Sequence, residues 1–278
     1  MPPQKIFDAL NPLPILQSVY INRTLLWQLT KRYVVSRYRG SMLGLLWSFA
    51  QPLLMLCVYT FVFSVVFRIR WGITVGEESK GAFAIIMFCG MALFNIFSES
   101  ITLNCNIIVY NPNFVKKVIF PLEILPLAQT LSSLILGLTW LVLLFFGVVF
   151  IFGKLSWTML CFPLILIPLF LFTLGVSFFV ASLGVFIRDT QYVVGVILQV
   201  LFFMTPIFYP IQAVPEKFQK FLTLNPLTPL IENFRKIFLM GTLPDWPVLA
   251  IAYSISIAIL YFGATWFYKT KKGFADVL

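Results

Sequence analysis

Histidine is missing from this chain altogether, and charged side chains amount to only 11% of its 278 residues. Without histidine, proton transfer near neutral pH would fall to the ten Asp and Glu. The sequence shows no cluster of these, so hydrolytic chemistry is not expected. The shortage of charge excludes a water-soluble fold. Soluble domains carry about 25% charged residues, whereas a chain that is 60% hydrophobic would have to expose apolar patches larger than such proteins tolerate. A phosphate-binding loop is missing too. The nearest match, Gly153-Lys154, is followed by Leu155 where Ser or Thr is needed, and an apolar run precedes it in place of a Gly-rich turn. The four cysteines, Cys57, Cys89, Cys105 and Cys161, lack metal-type spacing and read as small buried apolar residues, so no metal site is expected. Nothing points to nucleic acid. There is no internal repeat and no linker rich in Gly or Ser, and the stretch Met1 to Leu13 does not read as a cleaved signal. One membrane domain over 1–278 is the simplest organisation.

What the chain has in quantity is uninterrupted apolar sequence. Inside a bilayer, backbone groups must be satisfied internally, so helices or a closed barrel are the candidates. Barrel strands alternate apolar and polar residues over about ten positions. The runs here are unbroken for about 20, the length a helix needs to cross about 30 Å of hydrocarbon. The expected fold is therefore all-α: a polytopic membrane protein with six transmembrane helices at Leu43–Phe67, Ala82–Leu103, Leu122–Phe152, Trp157–Phe186, Tyr192–Tyr209 and Pro247–Phe267. A leading segment 1–42 and a tail 268–278 flank this region. The third and fourth spans exceed the need and are expected to tilt or project. Pro52, Pro126, Pro163 and Pro168 fall inside spans, where kinks are expected.

If both termini face the cytoplasm, twelve of the 20 Lys and Arg fall inside and eight outside, which favours that orientation under the positive-inside rule. The inside excess sits before the first span. From Ile21 to Gly40, Ile21, Leu25, Leu29 and Tyr33 recur at helical spacing among Arg23, Lys31, Arg32, Arg37 and Arg39. Two readings fit: an amphipathic helix lying in the membrane interface, or a basic anchor for the first span. Before the last span, Pro215–Leu222 and Pro229–Met240 are too short to cross. Both read as amphipathic helices at the outer face, each opened by a proline, with plain surface decoration as the other reading.

Glu99 is the one acid well inside a span, about 26 Å along it from Ala82, near the cytoplasmic interface. An intramembrane carboxylate is a functional candidate, and a satisfied interfacial acid is the alternative. Aromatic residues are abundant. Trp27, Trp71, Trp157 and Trp246 fall where belt anchors do. Trp47, Tyr59, Phe63, Tyr192 and Tyr209 are candidates to line a pathway on which sugar rings stack, or else lipid-facing and packing residues. Gly40 and Gly44 form a small-xxx-small pair of the kind that lets helices approach closely.

Five further stretches carry a resemblance. They are Ser36-Arg37-Tyr38-Arg39-Gly40-Ser41 with Leu43-Gly44-Leu45-Leu46-Trp47-Ser48 and Gln51-Pro52; Lys116-Lys117-Val118-Ile119-Phe120-Pro121 leading to Ile124-Leu125-Pro126; Arg188-Asp189; Thr205-Pro206-Ile207-Phe208-Tyr209-Pro210; and Asn225-Pro226-Leu227-Thr228-Pro229. In this order, from about Leu26 to Phe267, the chain resembles the membrane (permease) subunit of ABC-2 type exporters of lipid-linked polysaccharides such as O-antigen, capsule and teichoic acid. O-antigen exporters are the closest in appearance. Many members of that family have Asn where Gln51 stands here, a change expected to be tolerated.

The resemblance implies a homodimer in the bacterial inner membrane, a pair of separate ATP-binding subunits that hold ATP and Mg, and a cargo carried on undecaprenyl diphosphate. It implies ATPase coupling through Asn111, Lys116 and Lys117, with Arg188 and Asp189 either adding to the contact or serving only as a topology signal. Arg37 and Arg39 are expected to meet the diphosphate headgroup, or only to anchor the first span. Trp47, Tyr59, Phe63, Tyr192 and Tyr209 would face a channel, and Phe218, Phe221, Phe234 and Phe238 an outer gate. Against this stand a membrane-embedded enzyme of glycolipid synthesis, which would need clustered acids or His, and a pore or secondary carrier, which would need charge in the spans.

Overall fold

The computed structural model describes residues 18–66, 80–116, 120–153 and 155–278. Among the described residues every regular element is helical. α1 (Arg23–Ser36) leads through a turn into α2 (Trp47–Thr60), which ends in a π-helical stretch, Phe61–Val66. α3 (Lys80–Asn104), the short α4 (Pro112–Val115) and α5 (Ile124–Phe152) follow. Next come α6 (Pro163–Phe186) and α7 (Thr190–Met204), then two nine-residue helices, α8 (Glu216–Leu224) and α9 (Leu227–Arg235). α10 (Trp246–Thr270) and α11 (Phe274–Val277) close the chain.

Among the described residues, five stretches are long and apolar enough to cross a membrane: Gly44–Phe63, Gly81–Asn104, Ile124–Phe152, Trp157–Phe186 and Trp246–Val277. The expected fifth span, Tyr192–Tyr209, differs. Its helix stops after 15 residues at Met204, about 22 Å of rise, short of a full crossing. Thr205 is extended (φ −92°, ψ 137°) because Pro206 follows it, and the residue before a proline is pushed out of the α region. The second outer helix begins at Leu227 and not at Pro229, because the Asn225 side chain accepts a hydrogen bond from Leu227 N–H at 3.0 Å and caps the end.

Contacts fix the relative directions of the long helices. α3 and α5 run antiparallel, with Ile85 against Gly147 and Ile96 against Gly137. α6 and α10 run parallel: Tyr253 Oη donates to Leu164 O at 2.9 Å near their starts, and Ser182 and Thr270 share a 2.6 Å hydrogen bond near their ends. Between these points a Cβ on Gly263 would lie 1.9 Å from Gly175 O, so only glycine permits this approach. Gly40 and Gly44 do not serve that purpose. Both have positive φ in the turn before α2, with nothing within 4 Å of a Cβ.

One consequence is a shared face. The ends of α6 and α10 and the segment that follows α3 meet α1 and the start of α5 around a cluster of Leu29, Ile108, Ile124, Phe178, Phe267 and Phe274. Ser18 donates to Glu123 Oε1 at 2.8 Å, and Lys271 Nζ lies 3.4 Å from Glu123 Oε2, so the segments just before α1 and just after α10 are tied to the same buried carboxylate. The larger core, with Met87, Phe88, Leu93, Leu144, Phe208 and Phe234, fills the rest of the bundle. α8 and α9 close its far face.

Candidate functional site

On the terminal face the chain leaves α3 at Cys105, whose carbonyl is pressed on α6. A Cβ on Gly184 would lie 1.8 Å from Cys105 O. The next residue, Asn106, donates from Nδ2 to Gln191 Oε1 at the start of α7. These contacts bring the 105–116 segment beside the turn that joins α6 to α7. Lys116, Arg188 and Asp189 are all exposed there. Tyr110, which sequence reasoning did not single out, projects from the same segment. Asn111 is turned inward, its Nδ2 donating to Ile107 O at 2.8 Å. Phe114 stacks on Phe120 at 4.4 Å and closes the segment. Lys117 lies outside the described residues.

Arg37 and Arg39 part company. Arg39 is exposed, while Arg37 Nη2 lies 3.1 Å from Glu99 Oε1 on α3. The pair stands at a polar cavity between α2, α3 and α5, lined by Tyr38, Gln51, Asn95, Glu99, Thr139 and Trp140 among others. Thr139 Oγ1 donates to Leu136 O at 2.6 Å and lies 3.1 Å from Ser48 O, stitching α5 to α2. Burial, and after it the Glu99 carboxylate, push the Tyr38 phenol above its ordinary value. The sequence flagged Glu99, but it could not supply a partner 62 positions away.

Among the long apolar helices, α2 and α7 are the least covered. Leu46, Phe49, Leu53, Leu54, Val58 and Phe61 of α2 and its flanks project outward, as do Tyr192, Val193, Val196, Ile197, Val200 and Phe203 of α7. The five aromatic candidates divide between two settings. Trp47 and Tyr192 are exposed. Tyr59 and Phe63 are half-buried in a cluster with Phe202 and Phe208, where Phe63 stacks on Phe208 at 4.4 Å. Half-buried Tyr209 donates from Oη to Phe203 O at 2.8 Å. The cluster welds the far ends of α2 and α7 together.

At the far face the four phenylalanines also divide. Phe218 and Phe221 on α8 are exposed, whereas Phe234 and Phe238 are buried in the core, 4.4 Å apart. Arg235 holds α9 down. It is 1% exposed and donates to Pro206 O (2.7 Å), Ile207 O (3.0 Å) and Ile86 O (3.2 Å), with Glu232 Oε1 at 2.8 Å. Sequence reading missed this residue and counted it as a loop charge. The signal was there, because Ile231, Arg235 and Phe238 fall at i, i+4 and i+7 on one helix face. α8 is tied by Asn225 Nδ2, which donates to Thr205 Oγ1 at 2.8 Å. Among the described residues, no group of three or more His, Cys, Asp or Glu could hold a metal ion.

Comparison with known proteins adds a second line of evidence. Residues 24–239 match the model of the family described as ABC-2 type transporter. The chain is 33% identical over 259 residues to the O-antigen export system permease protein RfbA of Klebsiella pneumoniae, covering 91% of this chain and 95% of that protein. It is 30% identical over 269 residues to the protein of the same name from Myxococcus xanthus, covering 94% and 98%.

Proposed function

The chain belongs to the ABC-2 type transporter family, and from that premise we propose that it is the membrane subunit of an ATP-driven exporter of lipid-linked polysaccharide of the O-antigen type. The observation that carries this reading is the likeness to O-antigen export permeases over more than nine tenths of both chains. Membrane subunits of this family lack the ATPase domain, so the work comes from a partner. Two ATP-binding subunits, each with ATP and Mg, dock on the terminal face. The patch of Tyr110, Lys116, Arg188 and Asp189 is their contact surface, with Lys117 beside Lys116 in sequence. This face is cytoplasmic and carries both termini.

The uncovered apolar faces of α2 and α7 are the argument for a second copy and for a pathway between the two. α7 is the sixth crossing, completed by the turn to Tyr209. Trp47 and Tyr192 are the aromatics free to meet sugar rings; Tyr59, Phe63 and Tyr209 shape the wall behind them. Of the two arginines once assigned to the diphosphate, Arg39 is the free one, and its guanidinium suits phosphate oxygens. The gate is α8, with Phe218 and Phe221 as its surface, while α9 belongs to the frame. Removing the gene tests the whole reading. Completed polysaccharide should then stay on the cytoplasmic side of the inner membrane and return to the surface on complementation. Normal surface display without the gene would contradict it.

A further inference from the structure

The cavity between α2, α3 and α5 has a lining out of keeping with its surroundings. These three helices are apolar along their length, yet Tyr38, Gln51, Asn95, Glu99 and Thr139 converge on one spot beside Trp140. No described residue hydrogen-bonds to the side-chain amides of Gln51 or Asn95. Glu99 Oε1 is buried without an aligned hydrogen bond, although Arg37 lies 3.1 Å away. Polar groups left unpaired among apolar helices are costly, and more so where no bulk water reaches. That cost falls on buried Glu99 Oε1 and on partly buried Asn95, while Gln51 stands exposed at the mouth, and an occupant that satisfies the inner groups is favoured.

The donor and acceptor inventory says what that occupant is. Each amide offers both N–H donors and a carbonyl acceptor. Glu99 offers acceptors only, and Thr139 Oγ1, already donating to a backbone carbonyl, retains acceptor capacity. A hydroxyl group, which donates and accepts, matches this mixture. A diphosphate only accepts. It would face the Glu99 carboxylate, whose presence also neutralises Arg37. Size agrees: the cavity is about 20 Å³, room for a group the size of a water molecule and not for two phosphates.

We propose that this cavity is a subsite for one neutral sugar residue of the transported glycolipid, which inserts a hydroxyl or hydroxymethyl group while its ring rests at the mouth. The assignment rests on the polysaccharide-export reading above. It gives Glu99 a role, as the acceptor at the base of the subsite and the counter-charge that keeps Arg37 from capturing phosphate.

The test uses the complete transporter, permease with its ATP-binding subunits, in nanodiscs. Two probes share a tail and differ in headgroup: farnesyl β-glucoside and farnesyl diphosphate. Asn95→Leu and Gln51→Leu should each weaken glucoside binding by about tenfold, the loss of one or two hydrogen bonds, and leave diphosphate binding within about twofold. Glu99→Gln keeps an acceptor and frees Arg37. It should hold glucoside affinity within about threefold while tightening diphosphate binding, which a merely structural role for Glu99 does not predict. Glucoside binding that is absent from the wild type, or unchanged in both leucine variants, overturns the subsite. So does diphosphate binding that falls in parallel. If the wild-type complex moves glycolipid with ATP while the leucine variants bind glucoside normally, only the subsite is lost. If it binds glucoside at this cavity but never exports glycolipid, the export reading is lost.

Discussion

Replacing Arg235 with methionine keeps most of the side-chain volume and removes every donor. The carbonyls of Pro206 and Ile207, held at 2.7 and 3.0 Å, then lose their partner in a site that is 1% exposed in the native chain. Ile86 O lies within α3 and keeps its helical bond, and half-exposed Glu232 rehydrates, so two carbonyls carry the cost. At about 1–3 kcal/mol for each buried acceptor left unsatisfied, the expected loss is about 2–6 kcal/mol. The loss should be local, because Phe234 and Phe238 still anchor α9 by burial. Hydrogen exchange on the purified protein is the assay. Amides of 205–211 and 227–235 should open about a thousandfold more readily, while those of α6 and α10 stay protected. Arg235→Lys should recover one carbonyl and only part of the protection. Protection within tenfold of the native value at 205–211 would refute the idea that this arginine pins the far face.

Gly263→Ala puts a methyl group 1.9 Å from Gly175 O and should force α6 and α10 apart. A loss of about 1–3 kcal/mol is expected, read as a lower melting temperature; an unchanged melting temperature would mean that the two helices do not need this approach. Reversing charge at Lys116 and Arg188 together should lower the ATP turnover that the membrane subunit elicits from its partner, with insertion intact. Equal turnover would remove the patch from coupling. Phe221→Cys in two copies of the chain should crosslink across the outer face and block export until reduced. Export that continues while crosslinked would rule out α8 as the gate.

Much of the fold was legible because hydropathy in a bilayer acts residue by residue along a helix. Five of the expected spans match helices in position to within a few residues, and the two short helices before the last span were visible from their prolines. What was lost depended on pairing across the chain. Arg37 reads as a free cation at headgroup level until Glu99 is seen beside it. Phe234 and Phe238 look like one face of a surface helix, but that face packs on the core. Gly40 and Gly44 have the spacing of a helix contact and instead turn the backbone. The early end of α7 is a local effect of Pro206 that the apolar run past it concealed. The patch proposed for coupling was half legible: both segments were named, but their contact through Asn106 and Gln191 spans 85 positions and has no sequence signature.

Export can be followed in a reconstituted system. The chain and its ATP-binding partner are placed in vesicles with undecaprenyl diphosphate-linked O-polysaccharide on the ATP-accessible side, and the polymer exposed on the opposite side is measured. Transfer should require ATP, Mg and both proteins together. Transfer by this chain without the partner, or none with all components present and ATP being hydrolysed, would contradict ATP-driven export.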